Sequence, residues 1–146
     1  MRIRELSTIS ESQIQDVISI MGELTSNVVV TPEMLMQVAV SPSSHFFAIM
    51  EDNDRIIGCA TLCVFNSPTG MKASLEDVVV NSKYRGQGLG ELLVQHVIDY
   101  AKDELHSVDV HLTSNPQRVA ANNLYQKMGF EKRETNVYVM KIRESK

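Results

Sequence analysis

Three glycines at two-residue spacing, Gly86, Gly88 and Gly90, follow Arg85 in "VVVNSKYRGQGLGELL" (residues 78–93). A β-branched run precedes them and an apolar helical pattern begins after them. A helix start leaves about four backbone N–H groups without partners, and these carry roughly half a positive charge between them. An anion is held there without a lysine. Glycines remove Cβ atoms and let a phosphate approach the backbone, while Arg85 adds a fixed cation with several donors. A diphosphate is a natural occupant of such a turn. On spacing alone, a plain strand-to-helix turn would look the same. Two familiar phosphate loops do not fit. A Walker loop ends in Lys-Ser/Thr, which is missing here, and in the GxGxxG pattern the third glycine's place is taken by Glu91.

The other reactive side chains form no comparable group. Cys59 and Cys63 lie in "GCATLCVF", which reads as a strand. Both then point to one face, roughly 13 Å apart at about 3.3 Å per residue. That is too far for a disulfide, which needs Cα atoms within about 7 Å, so both read as buried thiols. His45, His96, His106 and His111 show no ligand spacing, and no metal is expected.

These residues need elements to position them. Residues 2–6 read as a short strand. Ile14, Val17, Ile18 and Met21 form a helix stripe with Ser10 or Ser12 as cap. A second helix begins with Thr31 as N-cap and Pro32 at its first position. Residues 45–52 and 55–65 read as strands joined by a tight turn at Asn53-Asp54. The second of them, apolar on both faces, should be central. "NSPTG" is a loop, and residues 71–80 form the strand that enters the glycine turn. A long amphipathic helix runs over residues 89–105, and residues 107–115 form a strand. Residues 116–130 form a helix with Ala121, Leu124, Tyr125 and Met128 on its stripe and Gly129 as C-terminal cap. Residues 134–142 give a final strand, with one more strand possible near Phe130.

This order predicts an α/β fold: a mixed, largely antiparallel sheet of six to seven strands with about four helices. The early strands follow short turns and should be antiparallel. The strand–helix–strand unit over residues 72–113 should be a parallel pair with a right-handed crossover. The 146 residues suit one domain spanning 1–146. The composition, 43% hydrophobic and 22% charged with net charge −4, is that of a soluble protein and speaks against nucleic-acid binding. No stretch reaches membrane-span length. The N-terminus lacks the apolar core of a signal peptide, so a cytoplasmic location is expected.

The glycine stretch resembles the signature [QR]-x-x-G-x-[GA] of the GNAT N-acetyltransferase superfamily, in the order Arg85, Gly86, Gln87, Gly88, Leu89, Gly90. "AANNLYQKMGF" resembles the A-x-x-LY-x-x-x-GF segment of the same family, and the element order fits throughout. The resemblance implies acetyl-coenzyme A as co-substrate. It implies that the amides of the glycine turn hold the pyrophosphate and that Val78, Val79 and Val80 pair with the pantetheine arm. It also implies that two central parallel strands splay apart to admit the thioester. "EDVVVNSKYRGQGLG" is similar to the same stretch in glucosamine-6-phosphate N-acetyltransferases. That likeness fades elsewhere, and the amino-sugar substrate is not carried over.

Direct transfer to an amine needs a base, an oxyanion donor and a proton for the leaving thiolate. Val79 or Val80 would give the oxyanion amide. Tyr125 matches the family's "LY" tyrosine, which implies the acid role; on spacing alone, on the apolar stripe of its helix, it reads as a core residue. Glu76 is the base candidate, on the face of Val78 and Val80 if the strand is regular. Asp77 points the other way unless a bulge reverses it. Arg118 stands where the family has its coenzyme-contacting Asn, which leaves two readings: Arg118 serves a coenzyme phosphate, or Asn122 replaces the missing amide. The expected function is acetyl transfer to a primary amine of a small molecule. The alternatives are a non-catalytic acyl-CoA-binding module and a protein N-terminal or lysine acetyltransferase. An exposed final strand could pair two chains into a homodimer.

Overall fold

The computed structural model describes residues 1–145. The backbone divides into two compact units, one over Met1–Thr113 and a second that starts at Ser114. The first contains β1 (Arg2–Glu5), α1 (Glu11–Leu24), α2 (Pro32–Val40), β2 (Ser44–Met50), β3 (Ile56–Ser67), β4 (Gly70–Val80), α3 (Leu89–Tyr100) and β5 (Asp109–His111). The second contains α4 (Val119–Lys127).

Local chemistry sets the helix starts. Ser10 caps α1 with a full capping box, its Oγ accepting from Gln13 N–H while the Gln13 side chain accepts from Ser10 N–H. Thr31 Oγ1 caps α2 ahead of Pro32. The helix expected over residues 89–105 keeps α-geometry only to Tyr100. A wider turn of π type follows over Ala101–Leu105.

The sheet order is β1-β2-β3-β4-β5, antiparallel except for the parallel β4–β5 pair. β3 is central, as its two apolar faces require. One face carries α1 and α2 over a core of Val17, Ile20, Leu35, Phe46, Ala48, Ile56, Cys59 and Val79. The other carries α3, whose Leu93, Val94 and Val97 are buried. There Phe47 meets His96 and Tyr100 edge-on at 5.6 and 5.3 Å.

The sheet has five strands among the described residues, not six to seven. Residues 134–142 form no strand, and Val137, Tyr138, Val139, Met140 and Ile142 are 69–87% exposed. The pattern reads as a strand, but a strand exists only when a neighbour takes its backbone groups. With no sixth strand, the parallel pair lies at the end of the sheet and not at its centre.

Candidate active site

At the end of β4, the Asn81 side chain accepts Lys83 N–H at 2.9 Å and caps a short 3₁₀ turn over Ser82–Tyr84. The last turn of α1 braces this segment. Glu23 accepts the Ser82 hydroxyl and, at 3.2 Å, Ser82 N–H. The Ser82 hydroxyl bond above all, helped by Ser82 N–H and the charges of Arg85 and Lys83, holds the Glu23 carboxyl below its ordinary range. Arg85 Nε donates to Val80 O at 3.1 Å, which folds the guanidinium back over the end of β4. The chain then turns through Gly86 at φ 80° and Gly88 at φ 76°. Gly88 is the N-cap of α3 in the left-handed conformation and has no side chain to cap it. Among the described residues, no protein acceptor takes the amides of Gly86 to Gly90. A Cβ at Gly86 or Gly88 would meet nothing within 4 Å. The protein needs these glycines first for their positive φ, and the space above them is open.

β4 meets β5 only from Lys72 to Ser74. Beyond that point β4 has no strand neighbour on this side among the described residues, because β5 itself ends at His111. The register fixes which backbone groups face the gap. Asn81 N–H donates to Ile57 O at 2.8 Å, and successive residues of a strand alternate sides. Val80 therefore turns away from β3, which its carbonyl bond to Arg85 corroborates, and its N–H lies on the same side. Val79, paired with Cys59, turns toward β3. Of the two amides left open by the sequence, that of Val80 faces the gap.

β4 is not regular. Between the pairs Thr61–Glu76 and Cys59–Val79, Asp77 and Val78 together oppose Ala60, and Asp77 adopts φ 53°. This bulge inverts the strand's faces. Glu76 lies with Ser74 on the side of Thr61 and Cys63, the face of α1 and α2, and Val79 shares that face after the bulge. Val78 and Val80 occupy the opposite face. Glu76 is thus not on the face of Val78 and Val80, because that placement required a regular strand.

Asp77 lies close enough to Glu76, Cys59 and Cys63 to act on them electrostatically. Glu76 and Asp77 are both exposed, and Ser74 Oγ donates to Glu76 Oε1 at 2.6 Å. Burial of its carboxyl group, then the Glu76 charge, raises Asp77 above the ordinary aspartate range. Cys59, fully buried, is pushed up to about 12, by burial first and the Asp77 charge second. Cys63 is only half-buried. Sequence alternation could not place Asp77 here, and Glu23 carried no sequence signal because its role depends on where α1 ends.

In the second unit, α4 ends in a Schellman motif. Gly129, at φ 105°, donates to Gln126 O at 3.1 Å, and Phe130 N–H donates to Tyr125 O at 3.0 Å. Tyr125 is buried and meets Phe130 edge-on at 5.9 Å. Its phenol is raised by burial, with Arg118 opposing, and so stays protonated at neutral pH. Asn122 Nδ2 donates to Asn115 O at 2.9 Å and Arg118 O at 2.8 Å. This ties the N-terminal turn of α4 and leaves only Oδ1 of the side chain for another partner.

The sequence pattern of the Acetyltransferase (GNAT) family matches residues 17–130. N-acetyltransferase family 8 member 2 of Rattus norvegicus is 36% identical over 88 residues, 59% of this chain and 38% of that protein. N-acetyltransferase 8B of Homo sapiens is 33% identical over 95 residues, 64% of this chain and 41% of that protein. The matched part of the chain spans about two fifths of these relatives. Among solved structures, a putative acetyltransferase from Agrobacterium tumefaciens str. C58 superposes with TM-score 0.81 at 21% identity, over 97% of this chain and 100% of that one. A glucosamine-6-phosphate N-acetyltransferase from Arabidopsis thaliana gives 0.73 at 23% identity, over 95% and 97%. At these identities the likeness is one of fold.

Proposed function

The chain belongs to the GNAT acetyltransferase family, and from that premise we propose that it moves an acetyl group from acetyl-CoA directly to a primary amine of a small cationic molecule. The observation that carries this reading is the run of unclaimed amides from Gly86 to Gly90 at the start of α3. Such a turn suits a diphosphate, and Arg85 lies beside it as a counter-charge. Gln87 and Leu89 contribute backbone N–H groups to the same turn. The Val78–Val80 edge, free of β5, offers backbone groups to the pantetheine arm. Asn122 has only its Oδ1 to offer a coenzyme amide.

Acetyl-CoA supplies an activated thioester. The chain's own residues do the rest. The Val80 N–H faces the gap and stabilises negative charge on the carbonyl oxygen. An alkylammonium titrates near pH 10 and must lose a proton before it attacks. Glu76 and the neighbouring Asp77 receive it, and their paired charge favours a cationic acceptor. The nitrogen lone pair forms the C–N bond as the C–S bond breaks, and the departing thiolate takes a proton. Tyr125, protonated at neutral pH, is the proton donor.

Two measurements test this reading. Calorimetry should detect CoA binding, and loss of thioester absorbance should occur with at least one member of a panel of polyamines, amino sugars and peptides. Binding without turnover on the whole panel would support a non-catalytic acyl-CoA module. Turnover on peptides alone would point to a protein acetyltransferase. Tyr125→Phe should keep CoA affinity while lowering kcat about 100- to 10,000-fold, the usual range for general acid–base catalysis. Unchanged kcat would remove Tyr125 from the mechanism.

A further inference from the structure

The turn that joins β2 to β3, "EDNDR" (residues 51–55), carries three carboxylates and one arginine. Such a composition reads as a solvated hairpin tip. The structure gives it more partners than a tip needs. It closes on itself, with Asp54 N–H donating to Glu51 O at 2.9 Å and Arg55 N–H to Asn53 Oδ1 at 3.1 Å. β1 reaches it from one side, where Arg2 donates to Glu51 O at 3.2 Å and to the Asp54 carboxylate. α1 reaches it from another. Gln13 Nε2 donates to Asp54 O at 2.9 Å, and Asp16 Oδ2 accepts Ile56 N–H at 3.1 Å. A hairpin tip tied to two other elements is a fixed support and not a free loop.

From that support one side chain reaches the glycine turn. Tyr84 is the last residue of the 3₁₀ turn and directly precedes Arg85. Its hydroxyl donates to Glu51 Oε1 at 2.6 Å, across 33 residues of sequence and in a partly buried setting. That distance is the one expected of a hydroxyl on a carboxylate. The bond above all raises the phenol, so it stays a donor at neutral pH. Glu23 holds the other end of the same 3₁₀ turn through Ser82. Residues 82–84 are thus gripped at both ends, by one carboxylate from α1 and one from the β2–β3 turn. The amides of Gly86 to Gly90 begin two residues after Tyr84. Glycines restrain a backbone least, so the direction of those amides depends on what anchors the segment just before them.

We propose that Glu51, acting through the Tyr84 hydroxyl, is a positioning residue for the coenzyme's diphosphate: it aims the glycine-turn amides without touching the ligand. This rests on the reading of that turn as the diphosphate seat. A turn whose amides are already aimed loses less freedom on binding than one that the ligand must order.

Calorimetric titration of the whole chain with CoA, with melting curves alongside, tests this. Tyr84→Phe removes the donor and should weaken CoA binding about 3- to 10-fold, the net effect of one hydrogen bond. Glu51→Ala and Glu51→Gln remove the same charge, but only glutamine keeps an oxygen that accepts the phenol. Glu51→Gln should therefore bind CoA more tightly than Glu51→Ala, by a similar factor. In a Tyr84→Phe background that difference should vanish, which a merely structural role of Glu51 would not produce. Wild-type affinity in Tyr84→Phe overturns the proposal. So do Ala and Gln variants of equal affinity, or a difference between them that persists without the hydroxyl. Variants that unfold would make the bond a prop of the fold and overturn the positioning role. A wild type that binds no CoA is a separate outcome: it removes the diphosphate reading of the turn, and this inference with it.

Discussion

Gly22 and Gly88 allow one substitution to be read in two opposite senses. Gly22 lies inside α1, and an added Cβ there meets nothing within 4 Å. Gly22→Ala should therefore stabilise the fold by about 0.5–1 kcal/mol through helix propensity and a less flexible unfolded chain. Gly88 also has open space around its Cβ direction, but its φ is 76°. Alanine in that conformation costs roughly 1–2 kcal/mol. At about 2–4 °C per kcal/mol for a chain near this size, the two variants should differ in melting temperature by about 3–12 °C, with the wild type between them. Binding should separate them further. If Gly88→Ala swings one turn amide off a charged diphosphate oxygen, the loss is about 1.5–3 kcal/mol, or roughly 10- to 100-fold in CoA affinity. Gly22→Ala should bind CoA as the wild type does. Denaturant melts and calorimetry on the three proteins decide the matter. A Gly88→Ala protein as stable as wild type would mean that the left-handed turn is not what the glycine secures. A destabilised variant with unchanged CoA affinity would mean that the turn amides do not hold the ligand.

Asp77→Asn tests the bulge through pH. An unfolded aspartate titrates near 3.9, and the folded-state value lies above this. The folded chain thus binds the proton more tightly, and stability falls as pH rises through the window between the two values. The penalty is present in full at neutral pH, so Asp77→Asn should melt higher than wild type at pH 7 and equally with it below the unfolded value. If Asp77 is the base, the acid limb of its pH–rate profile should lie above that of an ordinary aspartate and vanish in the variant; if Glu76 is, Glu76→Gln should abolish it instead. Gly58→Ala should cost about 1–3 kcal/mol as an overpacked contact, because its Cβ would lie 3.1 Å from Ile49 Cδ1 and 3.2 Å from Val79 O; a neutral melt would show that β3 and β4 yield there. Ellman's reagent on the native protein at pH 8 should modify Cys63 and spare Cys59, held up to about 12, until urea is added; two fast native thiols would contradict that burial.

The elements that rest on short-range chemistry were legible in the residues. The Ser10 and Thr31 caps, the Gly129 terminus, the central position of β3 and the glycine turn all follow from a few neighbouring side chains. Three features were not. The final strand has a strand's pattern, but a pattern cannot supply the neighbour that makes a strand. The placement of Glu76 assumed an unbroken period of two, and a bulge is decided by how β4 docks on β3, not by Asp77 or Val78 alone. The brace from Glu23 to Ser82 joins residues 59 apart, a distance over which no local signal runs.

The bulge has a consequence for how this site can change. A period-two strand is a code with two interleaved reading frames, and one surplus residue shifts the frame. Upstream of Asp77 the even-numbered positions address the face of α1 and α2; downstream they address the opposite face. Glu76 thus lies on one track of the strand, and Val78 and Val80 on the other. Substitutions can retune one track and leave the other intact. Deleting one of Asp77 and Val78 would leave a single residue opposite Ala60 and a regular strand, with Glu76 and Val79 still on the faces they hold now. What the surplus residue changes is the conformation at Asp77, and β4 should tolerate its loss in stability more readily than in whatever Asp77 does.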